Sequence, residues 1–299
     1  MKNKLFAYRG MEAGILRKLC QLIHKSCPNS KTFSLALNIL NLIAKNFFGS
    51  QLIAANDELM EKVLDIVNAR VGSEDTCMEI LQTLSENPSA LKILLQSNNF
   101  TVELQNIIVS TSNEKFFSVL SNFIASKPEM FAKLDILNSL INNTSKSKAL
   151  KCLALILDCD DCKHHAIEMK IENILLRILI ETSDDKTKTY AIMAFRNYLT
   201  YRNIYDDEFP WKRLLMILMG NAYTKINELL QESCIQTIRI MSDAAIVKKR
   251  LRKIHMTKIR NIPPLTENSR SMKADLLEWL KYKNYKNNSS SEKYLKLLI

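Results

Sequence analysis

Along this chain the apolar positions return at intervals of three and four residues, the period of a helix with one buried face. In residues 190–203, YAIMAFRNYLTYRN, the positions Ala191, Ala194, Phe195 and Tyr198 fall at i, i+3, i+4 and i+7. The same four-point face recurs as Ala36/Ile39/Leu40/Ile43, Cys77/Ile80/Leu81/Leu84 and Phe116/Val119/Leu120/Phe123. It returns as Ala149/Cys152/Leu153/Ile156 and as Cys234/Thr237/Ile238/Met241. With the third residue of each face as its anchor (40, 81, 120, 153, 195, 238), the intervals are 41, 39, 33, 42 and 43 residues. A helical pattern repeating about every 40 residues predicts an array of stacked helical units, each burying its apolar face against its neighbours.

Residues between the anchors fill out the units. In residues 1–30, Ile15, Leu16, Leu19, Leu22 and Ile23 predict one amphipathic helix, ended by Pro28, Asn29 and Ser30. It starts so near the first residue that a shortened protein, or one lacking N-terminal units, is the expectation. In the first full unit, residues 31–73, a second helix ELMEKVLDIVNARV is expected to be capped by Asn56 and stopped by Gly72. Pro88 and Pro128 follow their anchors by 7 and 8 residues, where proline ends one helix or opens the next. The 33-residue interval predicts that one helix of that unit shrinks to a turn. Ser183, Asp184 and Asp185 are placed to cap the helix bearing Phe195, and Pro210 suits the first turn of another. A closing helix over about 269–282 puts Met272, Leu276, Leu277 and Leu280 on one face. The expected organisation is a repeat array over 1–265, then a basic capping helix and flexible Ser/Asn-rich tail over 266–299.

Composition supports folded helices. Hydrophobic residues make up 47%, and 5 Gly with 6 Pro leave little for β-turns or a glycine-rich phosphate loop. The 7 cysteines show no paired spacing, and Cys77, Cys152 and Cys234 occupy core faces as small apolar residues. That points to a reducing compartment, cytosolic or nuclear. The first residues lack the apolar run of a signal peptide, and LLMILM (214–219) is too short to cross a bilayer. No membrane association is expected.

Candidate chemistry is sparse. The segment Cys159-Asp160-Asp161-Cys162-Lys163-His164-His165 holds metal-ligating residue types, but a structural zinc site draws on two separated pairs and there is no second one. The reading is a polar loop with Cys159 or Cys162 tucked beneath, leading into a short helix around Ala166 to Met169, and no metal. The chain has 4 His and no visible nucleophile–base arrangement. The acid pairs Asp160/Asp161, Asp184/Asp185 and Asp206/Asp207 stand where helices begin, which capping and the helix dipole explain. The expectation is no catalytic activity, no cofactor and no small-molecule substrate.

Charge alters the picture. Residues 1–209 hold 24 Lys+Arg and 24 Asp+Glu, whereas residues 210–299 hold 18 and 7, so the whole +11 excess lies at the C-terminal end. Its densest part, KKRLRKIHMTKIR (248–260), carries Lys248, Lys249, Arg250, Arg252, Lys253, Lys258 and Arg260. Three readings stay open. It is a solvated helix face with Leu251 and Ile254 inward, a surface for an acidic protein partner, or a nucleic-acid or nuclear-import element. Aromatic residues are not interleaved with the charge, which counts against single-stranded nucleic acid.

Residues 148–201 resemble the armadillo superfamily, which implies an all-α, right-handed armadillo/HEAT-like α-solenoid of about six repeats. In importin-like and catenin-like members the concave helix reads W-A-L-x-N, and its Trp and Asn hold extended peptides. Here the Asn position is filled only by Asn122 and Asn197, with Leu42, Thr83, Leu155 and Ile240 elsewhere. The Trp position in those two repeats holds Ser118 and Met193. A Trp/Asn ladder is absent, leaving Asn122, Met193 and Asn197 as a weaker candidate surface. The segments ALILDCDDCKHHAIEMKIENILLRIL, MAFRNYLTYRN and CIQTIRIMSDAAIVKKRLRK, in that order, are similar to the C-terminal armadillo region of the rotatin family. That resemblance covers about residues 146–299 and implies a non-catalytic scaffold for protein–protein interaction at the centriole, centrosome or ciliary basal body. Protein partners with acidic surfaces, tubulin-associated ones included, would then meet the basic end. The alternative is a nuclear or nucleic-acid-associated armadillo adaptor using the same end.

Overall fold

A computed structural model describes residues 14–28, 30–70, 72–200 and 209–281. They form helices throughout, with no strand among the described residues. Contacts divide the chain into two compact units, Met1–Met169 and Lys170–Ile299.

In the first unit the anchor faces lie on α2 (Lys31–Ala44), α5 (Glu74–Glu86), α8 (Glu114–Ser126) and α10 (Ser147–Ile156). Each packs against the next in that order. A second row is α4 (Asp57–Ala69), α7 (Asn98–Ser110) and α9 (Leu134–Asn142), again neighbour on neighbour. The helices α1 (Ile15–Lys25), α3 (Phe47–Ala54), α6 (Pro88–Gln96) and α11 (Asp160–Glu168) complete the unit. Between α8 and α9 the chain makes only a 3-10 turn, Pro128–Phe131, so the 33-residue interval does replace a helix with a turn.

Short polar residues set these boundaries. Side-chain oxygens of Ser30, Asn46, Asn56, Asn87, Ser97 and Asn113 each accept from a backbone N–H of the helix they precede, satisfying donors that would otherwise lack partners. Pro88 opens α6 at its first turn, where its missing N–H costs nothing. Gly49 is required for packing, since a Cβ there would stand 2.2 Å from the Ile43 carbonyl oxygen. The helix expected to run to Gly72 stops instead at Ala69, because Arg70 adopts the left-handed conformation (φ 52).

Hydrogen bonds between successive repeats recur at the repeat interval. Asn41 donates to Glu79 at 2.7 Å, Asn87 to Ser50 Oγ at 2.6 Å and Asn122 to Ser85 Oγ at 2.9 Å. In the second unit Arg196 donates to Gln236 at 2.5 Å. The apolar periodicity thus has a polar counterpart that fixes how far one repeat slides on the next.

The second unit comprises α12 (Ile171–Glu181), α13 (Asp185–Leu199), α14 (Trp211–Asn221), α15 (Glu228–Met241), α16 (Ala245–Arg250), α17 (Met256–Arg260) and α18 (Glu267–Lys281). A π-helical turn, Leu251–His255, joins α16 to α17. Asp184 caps α13 through Thr187, whose N–H and hydroxyl donate to its carboxylate and hold its pKa below the ordinary value. The anchor helices α13 and α15 pack together, and α18 packs on α15 in turn. Leu276 and Leu280 of α18 are fully buried. Leu276 follows the anchor Ile238 by 38 residues, so α18 stands where the next anchor helix would. The expected flexible tail, 282–299, lies outside the described residues, as do Asp206 and Asp207.

Five of the six anchor faces are buried throughout. The first is not, because α1 packs against α2 yet leaves Ile39 45% exposed. Ile15 and Leu22 of α1, read as inward, are also exposed.

Candidate functional site

One of the three readings of the basic segment 248–260 was a solvated helix face with Leu251 and Ile254 inward. The π-helical turn alters it. An i→i+5 turn holds more residues than an α-turn and so underwinds the helix, lengthening the spacing of the inward stripe. The buried positions are consequently Val247, Leu251, His255 and Ile259, each four residues after the last. Leu251 is inward as expected. Ile254, also expected inward, is 54% exposed, and His255 takes its place.

Lys248 is a second correction. Counted among the partner-binding cations, it is only 5% exposed. Its ammonium lies 3.8 Å from the ring centroid of Trp279 on α18, and the Arg239 guanidinium lies 4.2 Å from the same ring. Burial and the nearby Arg252 and Arg239 charges depress the Lys248 pKa. Trp279 Nε1 donates to the Ser242 carbonyl at 3.4 Å, and Arg239 pairs with Asp243 at 2.6 Å. This cluster fastens α18 to α15 and α16 through cation–π contacts, and Lys248 is spent on structure.

The remaining cations divide by exposure. Lys249, Lys253, Lys258 and Arg260 are exposed, while Arg250 and Arg252 are half-buried. Arg250 approaches the ring of Trp211 at 5.9 Å, and Lys212 approaches the same ring at 5.6 Å. No acidic side chain forms an ion pair with Lys249, Arg250, Arg252, Lys253, Lys258 or Arg260 among the described residues. Both tryptophans of the chain therefore sit beside cations, a grouping that sequence reading missed. Its one available signal was that Trp is so rare here, 2 in 299 residues.

The weaker candidates sit on anchor helices, each in its own unit. In the first, half-buried Asn122 of α8 is engaged with Ser85. A shallow pocket of about 350 Å³ lies between α5 and α8, lined by Asp75, Glu79, Lys115 and Ser118 among others. In the second, Met193 and Asn197 of α13 are half-buried, and Asn197 Oδ1 accepts from Arg196 Nε at 3.3 Å.

The cysteine-rich corner is a helix, not a loop. The segment Asp160–Glu168 forms α11 with Cys159 at its N-cap, burying Cys162 and Ala166 at i, i+4. The short helix expected around Ala166 to Met169 thus begins six residues earlier, because two small residues make an apolar face too narrow to mark its first turns. Burial pushes the Cys162 and Cys77 thiols up to about 12, and it raises Cys152 and Cys234 as well. Such thiols are poor nucleophiles at neutral pH. No group of three His, Cys, Asp or Glu poised to hold a metal ion occurs among the described residues. No helix among them is long and apolar enough to cross a membrane.

No protein-family model matches the chain, and no curated protein matches it. Among solved structures, an engineered protein from a structural genomics consortium is similar with a TM-score of 0.58 at 16% identity, covering 77% of this chain and 99% of that one. Kap121p, solved bound to RanGTP, is similar with a TM-score of 0.56 at 14% identity. That match covers 97% of this chain and 32% of Kap121p. A designed armadillo repeat protein matches with a TM-score of 0.43 at 14% identity, over 88% of this chain and 99% of that one. At such identities the likeness is one of fold. The fold is an all-α, armadillo/HEAT-like helical repeat.

Proposed function

We propose that this protein is a non-catalytic scaffold whose basic C-terminal end docks an acidic protein partner, at the centriole, centrosome or ciliary basal body. The observation that carries the reading is the group of exposed Lys249, Lys253, Lys258 and Arg260 with half-buried Arg252, carried on 16 residues of continuous helix and forming no ion pair with an acidic side chain among the described residues. Like charges held together repel, and an acidic surface relieves that repulsion while steering the encounter. Kap121p, whose fold is similar, was solved bound to RanGTP, which supports a protein-binding reading of such a fold. The similarity of residues 146–299 to the rotatin family supplies the centriolar setting. Lys248 is excluded from the docking set. Asn122 in the first unit is one subsidiary candidate, and Met193 with Asn197 in the second is another.

Replacing Lys249, Arg252 and Lys253 together by Glu tests the reading. The expected result is an unchanged circular dichroism melt, loss of centriolar recruitment of the tagged protein, and wild-type binding in vitro that weakens as salt rises. Loss of nuclear entry or nucleic-acid binding by the same variant would favour the adaptor alternative. Wild-type localisation and binding would move the search to the anchor-helix surface.

A further inference from the structure

His255 is buried for no structural return. It is 7% exposed, and neither Nδ1 nor Nε2 has a hydrogen-bond partner among the described residues. An unsatisfied buried imidazole is costly, and a larger apolar residue would fill the position at less expense. It is held inward by the π-helical turn, a feature that concentrates at functional sites.

The ring lines a pocket of about 510 Å³ between α14 and the π–α17 segment. Met216 and Met219 supply apolar wall, Gly220 leaves open space where a side chain would stand, and Arg250 and Lys258 supply two cations. The Tyr223 hydroxyl donates to the Lys258 carbonyl and ties α14 to α17 beside the pocket. An Arg and a Lys without an acidic partner, next to a polarizable methionine wall, suit an anion carried on an apolar stem.

We infer that this pocket is an oxyanion-binding site that takes a phosphomonoester or carboxylate side chain of a partner protein, with Arg250, Lys258 and His255 as its polar contacts. Arg250 and Lys258 neutralise the anion, and the stem packs on Met216 and Met219. Rotation about the His255 Cβ–Cγ bond, a broad and soft torsion, turns an imidazole N–H toward the bound oxygen. Burial, with the Lys258 and Arg250 charges, lowers the His255 pKa and so favours the neutral imidazole. A neutral imidazole still offers one N–H donor. The site deepens the docking proposal, yet its chemistry stands apart from Lys249, Arg252 and Lys253.

Phenyl phosphate, phenylacetate and inorganic phosphate serve as probes. Each is titrated into the full chain while the His255 imidazole ¹H–¹³C resonance, assigned by its absence from His255→Gln, is followed by NMR. The expected result is a saturable shift with an aromatic anion, competed by inorganic phosphate. Arg250→Gln and Lys258→Gln should each weaken it about tenfold, the loss of one charge-assisted hydrogen bond. A preference for phenyl phosphate identifies a phosphorylated side chain as the ligand, and equal binding of phenylacetate identifies an acidic residue. Absence of a saturable His255 shift with either aromatic anion overturns the site, as does undiminished binding by folded Arg250→Gln and Lys258→Gln. The Lys249/Arg252/Lys253 reversal leaves every pocket residue in place. Retained phenyl phosphate binding by that variant therefore separates failure of the docking surface from failure of the pocket.

Discussion

At the scale of single residues, most polar side chains inside this protein have a stated partner. Tyr198 was read as one apolar point of an anchor face, and its ring is fully buried. Its hydroxyl nevertheless donates to Glu172 at 2.7 Å, joining α13 to the first turn of α12. Tyr198→Phe would leave the ring packing intact but strip that donor from a buried carboxylate. A loss of about 1–3 kcal/mol is expected from the unsatisfied acceptor. Chemical denaturation should show most of it recovered in the double variant with Glu172→Met, which removes both halves of the bond. Equal losses for the single and double variants would mean that the unsatisfied Glu172 carboxylate is not the source of the loss. Among the described residues two buried side chains keep atoms without a partner: Asn41 lacks one only at Oδ1 while its amide nitrogen donates to Glu79, whereas His255 lacks one at both ring nitrogens, which is why it draws a functional reading and Tyr198 does not.

Helix boundaries carry the argument at the scale of elements. Asn and Ser caps were legible because their side chains offer an acceptor at the distance the helix N-terminus requires. The C-terminal end of α4 was not, because Gly72 was the expected stop while Arg70 makes the left-handed turn. An L-residue there bears a steric penalty from its Cβ that glycine avoids. Arg70→Gly should therefore raise the stability of the first unit by about 0.5–1 kcal/mol, after allowing for the extra freedom glycine gains when unfolded. Arg70→Val should lower it, since a β-branched residue tolerates that conformation least. Urea midpoints of the two variants moving in the same direction would contradict this account.

Over the whole molecule, stability is distributed repeat by repeat. Each anchor helix touches chiefly its neighbours in the series, so damage should spread to adjacent repeats first. Leu81 is fully buried at the centre of α5. Leu81→Asp places an uncompensated carboxylate there at a cost of several kcal/mol. Hydrogen exchange should show protection lost in α5 and in its neighbours α2 and α8. Protection that persists in α2 and α8 would show that repeats do not depend on one another in this way. Charge follows a different distribution from stability. The excess is gathered on the second unit, and the arrangement bears on partners more than on folding.

The sequence by itself determined the helical class, the repeat interval of about 40 residues, the shortened unit near Pro128 and the location of the basic end. All of these follow from local periodicity and composition, which survive in a linear string. Tertiary structure decided what covers each face. A helical period shows which residues share a side but not which neighbour meets it, so Lys248 and Lys249 look alike until Trp279 arrives from α18. The π-helical turn is likewise silent in sequence, because its i→i+5 bonding depends on how α16 and α17 pack rather than on a residue signature. That single change of winding exchanged Ile254 for His255, and with it an apolar contact for a site.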